Sequence, residues 1–407
     1  MRGEILFLAH RVPFPPDRGD KIRSHHVLKA LAEIAPVHVG CLAENSTDIT
    51  NEHRLAEVAA SWCMSRRSKP LPVAGVEALL RGQPVSLTAF RSEALSQWVN
   101  QLLAERDIGA IYVFSGQMGQ YVPRDWQGRL LVDLVDVDSA KFEAFAEAGR
   151  GPRSWIDARE GKLLRGVEAE LAKRADATLL VSEAEADLLR KRVPTPDRIR
   201  ALRNGIDCAA FDPKAVEPEQ ALASGGPHYV FTGQMDYAPN IDAVRRMTNA
   251  IMPGVLSKLP SAQFHIVGRA PTREVMALDG VNNTRVVGEV PDTRPWLAGA
   301  DIVVAPLTIA RGVQNKVLEA MAMARPVIVS PDAATGIEAK SGRHFIVASN
   351  DAAFVEELLR LSNDSGTARA LGHSARQFVL DTMSWPAMLS DLPRLLGLEQ
   401  VAPRDAA

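Results

Sequence analysis

The sequence is poor in cysteine, has no excess of positive charge and contains no long apolar run. Its three cysteines are scattered and form no CxxC pair, which predicts reduced thiols in a cytoplasmic setting rather than a disulfide framework. The formal net charge of −2 gives no reason to expect a nucleic-acid partner. No apolar run approaches the roughly 20 residues that cross a bilayer, so we expect a cytoplasmic protein, either soluble or peripheral on the inner face of the plasma membrane.

Metal-binding patterns are also missing. The nine histidines show neither HExxH nor Cys/His ligand spacing, and we therefore predict no metal site. What the chain does have is length and ordinary globular composition, with 46% apolar and 24% charged residues. A chain of 407 residues exceeds what one hydrophobic core usually supports, which predicts two domains.

Short apolar runs alternate with helical patterns along the whole chain, which is typical of βα units and parallel sheets. In the first half we predict strands at "ILFLA", "VHVGCLA", "AIYVF", "LLVDLV" and "ATLLVS". In the second half we predict strands at "YVFTG", "FHIVG", "TRVVG", "DIVVAP", "RPVIVS" and "HFIVA". The expected fold is α/β, with two doubly wound Rossmann-like domains that bind ligands at the carboxyl ends of their strands.

The domain boundaries follow from the polar, Pro- and Gly-containing stretch at 212–227, which reads as a linker. We predict a first domain over residues 1–211 and a second over 228–383. A C-terminal helix at about 384–399 is expected to pack back on the first domain.

The loop after the first strand, "HRVPFPPDRGDKIR", gathers cations at a helix start. Arg18, Gly19, Lys21 and Arg23 lie there, and cations at a helix N-terminus oppose the helix dipole. A bound phosphate would offset this cost, so we assign these four residues to an acceptor side. A solvated, charged helix start is the alternative.

Asp136 follows the strand "LLVDLV" in the segment "DVDSAKF". The "DVD" triplet could chelate a metal, and Asp138 with Ser139 could cap the next helix. We favour Asp136 as an acceptor-side residue with a catalytic role, because a carboxylate at a strand carboxyl end lies where ligands bind in such folds.

A second loop and helix start occur in "IARGVQNKVLEAMAMARPVIVS", residues 309–330. Arg311 and Gly312 precede the helix, which carries Lys316 and Glu319. Two cations near a helix N-terminus indicate an anion seated there.

The motif "NKVLEAMAMARPVIVS" resembles the core motif of retaining glycosyltransferases of family 4, which share the two-domain GT-B fold with a central cleft. Supporting motifs occur in the same order as in that family and cover nearly the whole chain: "VSEAEADLL", "RNGIDCAAFDP", "YVFTGQMDYAPNIDAV", "FHIVGR", "VVGEVPDTRPWLAGADIVVAPL" and "SWPAML". "FTGQMDYAPN" together with "ARGVQNKVLEAMA" is similar to a narrower group of bacterial sugar transferases associated with exopolysaccharide and exosortase (PEP-CTERM) gene clusters.

The resemblance implies a donor site in the second domain. Glu319 occupies the place of a glutamate that contacts the nucleotide ribose, although an i,i+3 pair with Lys316 would give it a structural role instead. The other implied donor-binding residues are Gly233, Gln234, Gly268, Arg311, Gly312, Val313, Gln314, Asn315 and Lys316.

The chain departs from the family pattern at three places. Arg311 stands where the family has a paired glutamate, and "TGQMDYAPN" lacks the cations that neutralise the donor diphosphate. We therefore expect Arg311 and Lys316 to replace those cations and to act in catalysis, helped by backbone N–H groups of residues 312–314. The family often has His-Asp where this chain has Val135-Asp136, which leaves the catalytic base unassigned.

The function implied is transfer of a sugar, with retention and without a metal or other cofactor. The donor would be a UDP- or GDP-linked sugar and the acceptor a glycan or a lipid-linked molecule, in exopolysaccharide or cell-surface polysaccharide biosynthesis. A catalytically silent nucleotide-sugar-binding protein and a nucleotide-sugar epimerase of the same fold stay open as alternatives.

A membrane surface is a further expected partner. Arg66, Arg67 and Lys69 precede "GVEALLRGQPVSLTAFR", and segments in which basic and apolar residues interleave lie at membrane interfaces. The alternative is a helix pair that packs on its own domain.

Overall fold

The structure is a computed structural model that describes residues 3–310 and 312–398. The chain divides into two compact units. The first is formed by the chain up to Asn204 together with the segment that begins at Met388, and the second is Gly205–Ala387. The first boundary, after Asn204, lies before the predicted one at residue 211. The second boundary, at Met388, lies after the predicted one at residue 384.

The first unit contains a parallel sheet of seven strands within the described residues, in the order β3-β2-β1-β4-β5-β6-β7. This is the doubly wound order, in which the chain switches direction between β1 and β4. The strands are β1 (Glu4–Ala9), β2 (Val37–Ala43), β3 (Ser61–Arg66), β4 (Ile108–Phe114), β5 (Arg129–Val135), β6 (Ala177–Leu180) and β7 (Ile199–Ala201).

Helices connect these strands as crossover segments. They are α1 (Gly19–Ala32), α2 (Ser46–Thr50), α3 (Leu71–Leu80), α4 (Val85–Ala89), α5 (Glu93–Glu105), α6 (Asp138–Ala148), α7 (Pro152–Arg174) and α8 (Glu183–Arg190). The central strands are apolar and buried on both faces, as expected for a sheet covered by helices on each side.

The second unit repeats this plan with six described parallel strands in the order β10-β9-β8-β11-β12-β13. The strands are β8 (His228–Thr232), β9 (Gln263–Val267), β10 (Thr284–Gly288), β11 (Ile302–Ala305), β12 (Val327–Val329) and β13 (Ile346–Val347). A topological switch point lies between β8 and β11, where a ligand crevice forms in such sheets.

The remaining helices follow in chain order. They are α9 (Ala238–Arg246), α10 (Met252–Leu256), α11 (Arg273–Met276), α12 (Arg294–Gly299), α13 (Asn315–Ala322), α14 (Pro331–Ala334), α15 (Asp351–Asn363), α16 (Ser365–Thr382), α17 (Trp385–Met388) and α18 (Leu392–Leu395). None of the helices in the described ranges is long and apolar enough to cross a membrane.

Two predicted helices are interrupted. The pattern at 240–259 predicts one helix, but a π segment, Met247–Ile251, separates α9 from α10. Pro253 at the start of α10 has no backbone N–H to continue the α-helical hydrogen bonding. At the C-terminus, α17 and α18 replace the single predicted helix, and Arg129 Nε of the first unit donates to the Leu395 carbonyl at 2.8 Å. Residue 399 lies outside the described residues.

Candidate functional site

A cavity of about 400 Å³ opens in the second unit at the carboxyl ends of β8 and β9 and beside the first turn of α13. It lies next to the topological switch point of the sheet, where ligands bind in doubly wound folds. Its lining residues are Thr232, Gly233, Gln234, Asn240, Gly268, Arg269, Glu289, Val290, Thr293, Lys316 and Glu319.

Two glycines let the backbone close around this cavity. Gly268 has φ of +152°, and a side chain at its position would overlap the Gly233 carbonyl oxygen. A Cβ at position 233 would lie 2.9 Å from Asn240 Nδ2 and 3.1 Å from Lys316 Nζ. Only glycine therefore permits the two strand ends and the Lys316 ammonium to approach so closely.

Lys316 brings a cation into the cavity from the first turn of α13. Its Nζ donates to Asn240 Oδ1 at 2.5 Å and lies 4.2 Å from the centroid of the Phe231 ring. Burial lowers the pKa of Lys316 to about 8, although the nearby Glu319 carboxylate raises it. A partly dehydrated ammonium group held this way favours an anion as its partner, since an anion would restore the lost solvation.

Glu319 lies one turn further along α13 and lines the same cavity. Burial raises the pKa of its carboxyl group, and the neighbouring Lys316 lowers it. A carboxylate in this position can accept hydrogen bonds from ligand hydroxyl groups. The predicted i,i+3 proximity to Lys316 is present, but it does not remove Glu319 from the cavity wall.

Asn240 and Arg269 were not singled out by the sequence analysis. Asn240, in the first turn of α9, accepts from Lys316 and donates through Nδ2 to the Gln234 carbonyl at 2.8 Å. Arg269 Nη2 donates to Gln234 Oε1 at 2.8 Å, which places a second cation at the cavity rim. The available signal was positional, because Arg269 lies in the loop directly after β9 and Asn240 lies in the first turn of α9, the helix that follows β8.

The structure brings together five of the predicted donor-side residues, namely Gly233, Gln234, Gly268, Lys316 and Glu319. The predicted residues Gly312, Val313, Gln314 and Asn315 precede or begin α13 but are not part of the cavity lining. Gly312 has φ of +68°, a left-handed conformation that favours glycine. Arg311 lies outside the described residues.

The first unit corrects the prediction for Lys21 and Arg23, whose side chains are buried in ion pairs. Lys21 Nζ lies 2.6 Å from Asp48 Oδ1. Arg23 binds Asp133 through Nε and Nη2 at 2.9 and 3.1 Å, and its Nη1 donates to the Leu202 carbonyl. These cations are neutralised by protein carboxylates, and we therefore assign them a structural role rather than an acceptor-side one.

Arg18 and Gly19 do lie at the start of α1, as predicted. Arg18 is the N-terminal flanking residue and Gly19 the first helical residue. The Arg18 guanidinium is exposed and pairs with Glu44 at 2.8 Å and with Asp20 at 3.3 Å. The carboxylates of Glu44 and Asp20 thus offset the positive charge of Arg18, for which the sequence predicts a bound phosphate.

Asp136 is exposed and follows β5 at a strained point of the backbone. The preceding residue, Val135, has φ of +69°, which a β-branched residue rarely adopts. Although the Asp136 side chain is exposed, partial loss of solvent around its carboxyl group and the nearby carboxylates of Glu185 and Asp138 raise its pKa. Strain of this kind concentrates at functional sites, and the position agrees with the predicted one at a strand carboxyl end.

A family profile matches part of the second unit. Residues 226–364 match the profile of the family described as Glycosyl transferases group 1, a range that contains every residue lining the cavity. No curated protein matches the chain.

Solved structures of similar fold cover almost the whole chain. HepE from Anabaena, in complex with UDP and glucose, superimposes with a TM-score of 0.59 at 14% identity, covering 97% of this chain and 100% of that one. Sucrose-phosphate synthase from Thermosynechococcus elongatus gives 0.57 at 17% identity, covering 97% and 98%. A glycosyltransferase from Rickettsia africae gives 0.59 at 14%, covering 97% of each chain.

The predicted fold class is confirmed, since two parallel-sheet α/β units match GT-B glycosyltransferase structures over 97% of the chain. The profile match and the fold together support a GT-B glycosyltransferase. The finer assignments, to family 4 and to exopolysaccharide or exosortase gene clusters, stay predictions.

Proposed function

We propose that this protein is a retaining glycosyltransferase that transfers a sugar from a nucleotide-diphosphate donor to a glycan or lipid-linked acceptor. The second unit binds the donor in the cavity beside α13. The observation that carries the proposal is the position of the Lys316 ammonium, which lies against Gly233 and Asn240 in a cavity within the family match.

Lys316 supplies a cation where the donor diphosphate needs one. The loop after β8 contains no lysine or arginine of its own, yet Lys316 reaches this loop from α13. Negative charge grows on the diphosphate as the bond to the sugar breaks, and a preorganised cation stabilises that charge. Arg269 at the rim, and Arg311 by prediction, add to the positive charge.

Glu319 and the loops after β9 and β10 hold the nucleoside. Glu319 accepts from the ribose hydroxyl groups, while Gly268, Glu289 and Val290, from the loops after β9 and β10, line the same cavity. The structure of HepE with UDP-glucose makes UDP the first nucleotide to test, with GDP as the alternative.

The first unit holds the acceptor, and Asp136 is its candidate polar contact. The reaction proceeds without a metal or other cofactor, with the electrostatically assisted departure of the diphosphate as its main catalytic component. An acceptor used in exopolysaccharide or cell-surface polysaccharide synthesis fits the motif resemblance. A cytoplasmic location of the protein would give its donor site access to nucleotide sugars made in the cytoplasm.

Ligand-induced thermal stabilisation tests the donor site directly. UDP, GDP, uridine and guanosine are added to wild type and to Lys316→Met, and the melting temperature is followed. A ligand present at 100 times its Kd stabilises the fold by about 2.7 kcal/mol. We expect one diphosphate to stabilise wild type strongly and its nucleoside weakly.

Turnover measurements separate sugar transfer from the two alternatives, an epimerase and a silent binding protein. Release of the nucleoside diphosphate from a sugar donor only when an acceptor is present supports transfer. Donor conversion without any acceptor would favour an epimerase, and binding without turnover over a broad donor and acceptor panel would favour a silent binding protein. Absence of stabilisation by every nucleotide diphosphate would refute the donor site.

A further inference from the structure

Helix α3 exposes its large apolar side chains and buries its small ones. Leu80 is 84% exposed and Leu71 is 67% exposed, whereas Ala74 and Ala78 are buried. An ordinary surface helix shows the opposite arrangement. The outer face of α3, as we call it, consists of Leu71, Val73, Val76, Leu79 and Leu80.

The orientation of α3 is fixed by contacts on its inner side. Thr88 Oγ1 of α4 donates to the Ala74 carbonyl at 3.0 Å, and Arg159 of α7 donates to the Ala78 and Gln83 carbonyls at 3.1 and 3.2 Å. Because these bonds hold the small residues inward, the outer face points to solvent in the folded unit.

Helix α7, which contacts α3 through Arg159, also exposes apolar side chains. Trp155 and Ile156 on α7 are exposed, and they precede Arg159, which contacts α3, by about one helical turn. Tryptophan is favoured at membrane–water interfaces because its ring is apolar and its N–H is polar. Helices α3 and α7 thus both expose large apolar side chains.

A basic cavity adjoins this surface. It has a volume of about 490 Å³ and contains five cationic side chains and two carboxylates. The cations are Arg66, Arg67, Lys69, Arg81 and Arg91. Three of them, Lys69, Arg81 and Arg91, share the single carboxylate of Glu77. A fourth, Arg67, pairs with Glu44, which also binds Arg11 and Arg18. Because several cations share each of these carboxylates, an excess of positive charge is left for an external anion.

We propose that the outer face of α3 and the basic cavity form one docking surface for a membrane that contains anionic phospholipid. The apolar side chains enter the boundary between headgroups and acyl chains, and the cations bind lipid phosphates. A leucine-rich face beside arginine and lysine is the combination that binds such interfaces. Charge complementarity selects this occupant over a second copy of the chain, which would bring the same cations against one another.

Sedimentation with vesicles tests this proposal on the full-length protein. The vesicles contain either phosphatidylcholine alone or equal parts of phosphatidylcholine and phosphatidylglycerol. We expect binding to the mixed vesicles, weakened by salt, and little binding to phosphatidylcholine. Since vesicle binding requires no nucleotide and no turnover, its outcome is independent of the proposed enzymatic function.

Two pairs of substitutions separate the apolar and the charged contributions. Leu79→Ser with Leu80→Ser should lower partition into mixed vesicles at least about tenfold. Arg66→Gln with Arg81→Gln should lower it about fivefold for each cation and flatten the salt dependence. The matched controls are Leu380→Ser and Arg369→Gln, which change exposed residues of the second unit and should bind as wild type does.

The proposal is overturned if wild type sediments equally with both kinds of vesicle, or if the paired variants bind as well as the controls. All variants should keep the wild-type melting temperature, because the altered side chains are exposed or half-buried. If the leucine variants instead dissociate a dimer seen by light scattering without changing vesicle binding, the outer face of α3 is an interface between copies and the membrane assignment is wrong.

Discussion

At the scale of single residues, Lys316 is held where its charge is costly without a ligand. Burial is the main cause that lowers the pKa of Lys316 to about 8. The ammonium group of the free protein therefore loses its proton at a pH where an ordinary lysine stays charged. A bound diphosphate would stabilise the protonated form. We expect diphosphate affinity to be greatest below pH 8 and to fall by up to about tenfold per pH unit above it.

Titration calorimetry with UDP across pH 7–10 measures this dependence. Lys316→Arg keeps its charge over the whole range, so its affinity should stay flat above pH 8. Lys316→Met should bind UDP roughly tenfold to a hundredfold more weakly than wild type, with uridine affinity unchanged. A variant without the cation that still distinguishes UDP from uridine as wild type does would place the phosphates elsewhere.

Glu319 allows a test that separates a ligand contact from a structural role. Burial raises the pKa of its carboxyl group, so the ionised form costs stability in the free protein. Glu319→Gln should therefore leave the melting temperature unchanged or slightly higher, while the Michaelis constant for the donor rises roughly tenfold. If stability drops sharply and the kinetics per folded molecule stay the same, the carboxylate is structural.

The sequence pattern does not predict the role of a residue when that role depends on a partner far away along the chain. Lys21 and Arg23 were predicted to bind a phosphate because they crowd a helix start. Their real partners, Asp48 and Asp133, lie 27 and 110 residues away along the chain. By contrast, Gly233, Gly268 and Glu319 lie together in the cavity wall, and they belong to the motifs that carry the family resemblance. Their roles in donor binding stay predictions.

At the scale of elements, the adjacent strands β8 and β9 carry a buried histidine pair. His228 Nδ1 lies 3.0 Å from His265 Nε2, and His228 Nε2 lies 3.2 Å from the Ser224 carbonyl. The carbonyl can only accept, so His228 Nε2 donates to it and neutral His228 accepts from His265. His265 Nδ1 is left buried without a hydrogen-bond partner within the described structure.

This pair should make the second unit sensitive to acid. Burial, together with the neighbouring His228, lowers the pKa of His265 from 6.5 to about 4. Between these pH values the unfolded chain binds the proton and the folded unit does not, so the free energy of unfolding decreases as pH falls from 6.5 to 4. The expected loss is about 2–3 kcal/mol.

Urea unfolding at a series of pH values checks this expectation. His265→Leu should show a smaller decrease over the same window, whereas His53→Gln, at an exposed position of the first unit, should follow wild type. An identical pH dependence in wild type and His265→Leu would mean that other groups cause the acid sensitivity.

Most strands could be predicted from the sequence, because buried parallel strands are continuous apolar runs. β3 and β7 escaped the prediction for physical reasons. β3, "SWCMSR", is a half-buried edge strand with polar residues, and β7 has only three residues. In "VSEAEADLL", the spacing of Ser182 and Glu185 predicts a capping box. Ser182 does cap α8, but the Glu185 carboxylate accepts from the Val137 N–H instead.

At the scale of the whole molecule, the second unit is one continuous segment with its own core. Its hydrophobic cluster runs from Ile206 to Met383, entirely within Gly205–Ala387. The two ends of the segment meet, because the Ile206 N–H donates to the Met383 carbonyl at 2.8 Å and Ile206 pairs with Ser384. The first unit, in contrast, is assembled from two separate segments of the chain.

We therefore expect the excised segment 205–387 to fold alone and to bind the donor nucleotide. Every residue lining the donor cavity lies inside it, so the Kd for UDP should stay within about threefold of the full-length value, a difference of well under 1.4 kcal/mol. Calorimetry on both proteins makes the comparison, and circular dichroism establishes that the fragment is folded. The fragment should transfer no sugar, because the acceptor side belongs to the first unit. A folded fragment whose affinity for UDP is tenfold or more weaker would show that the first unit contributes to the donor site.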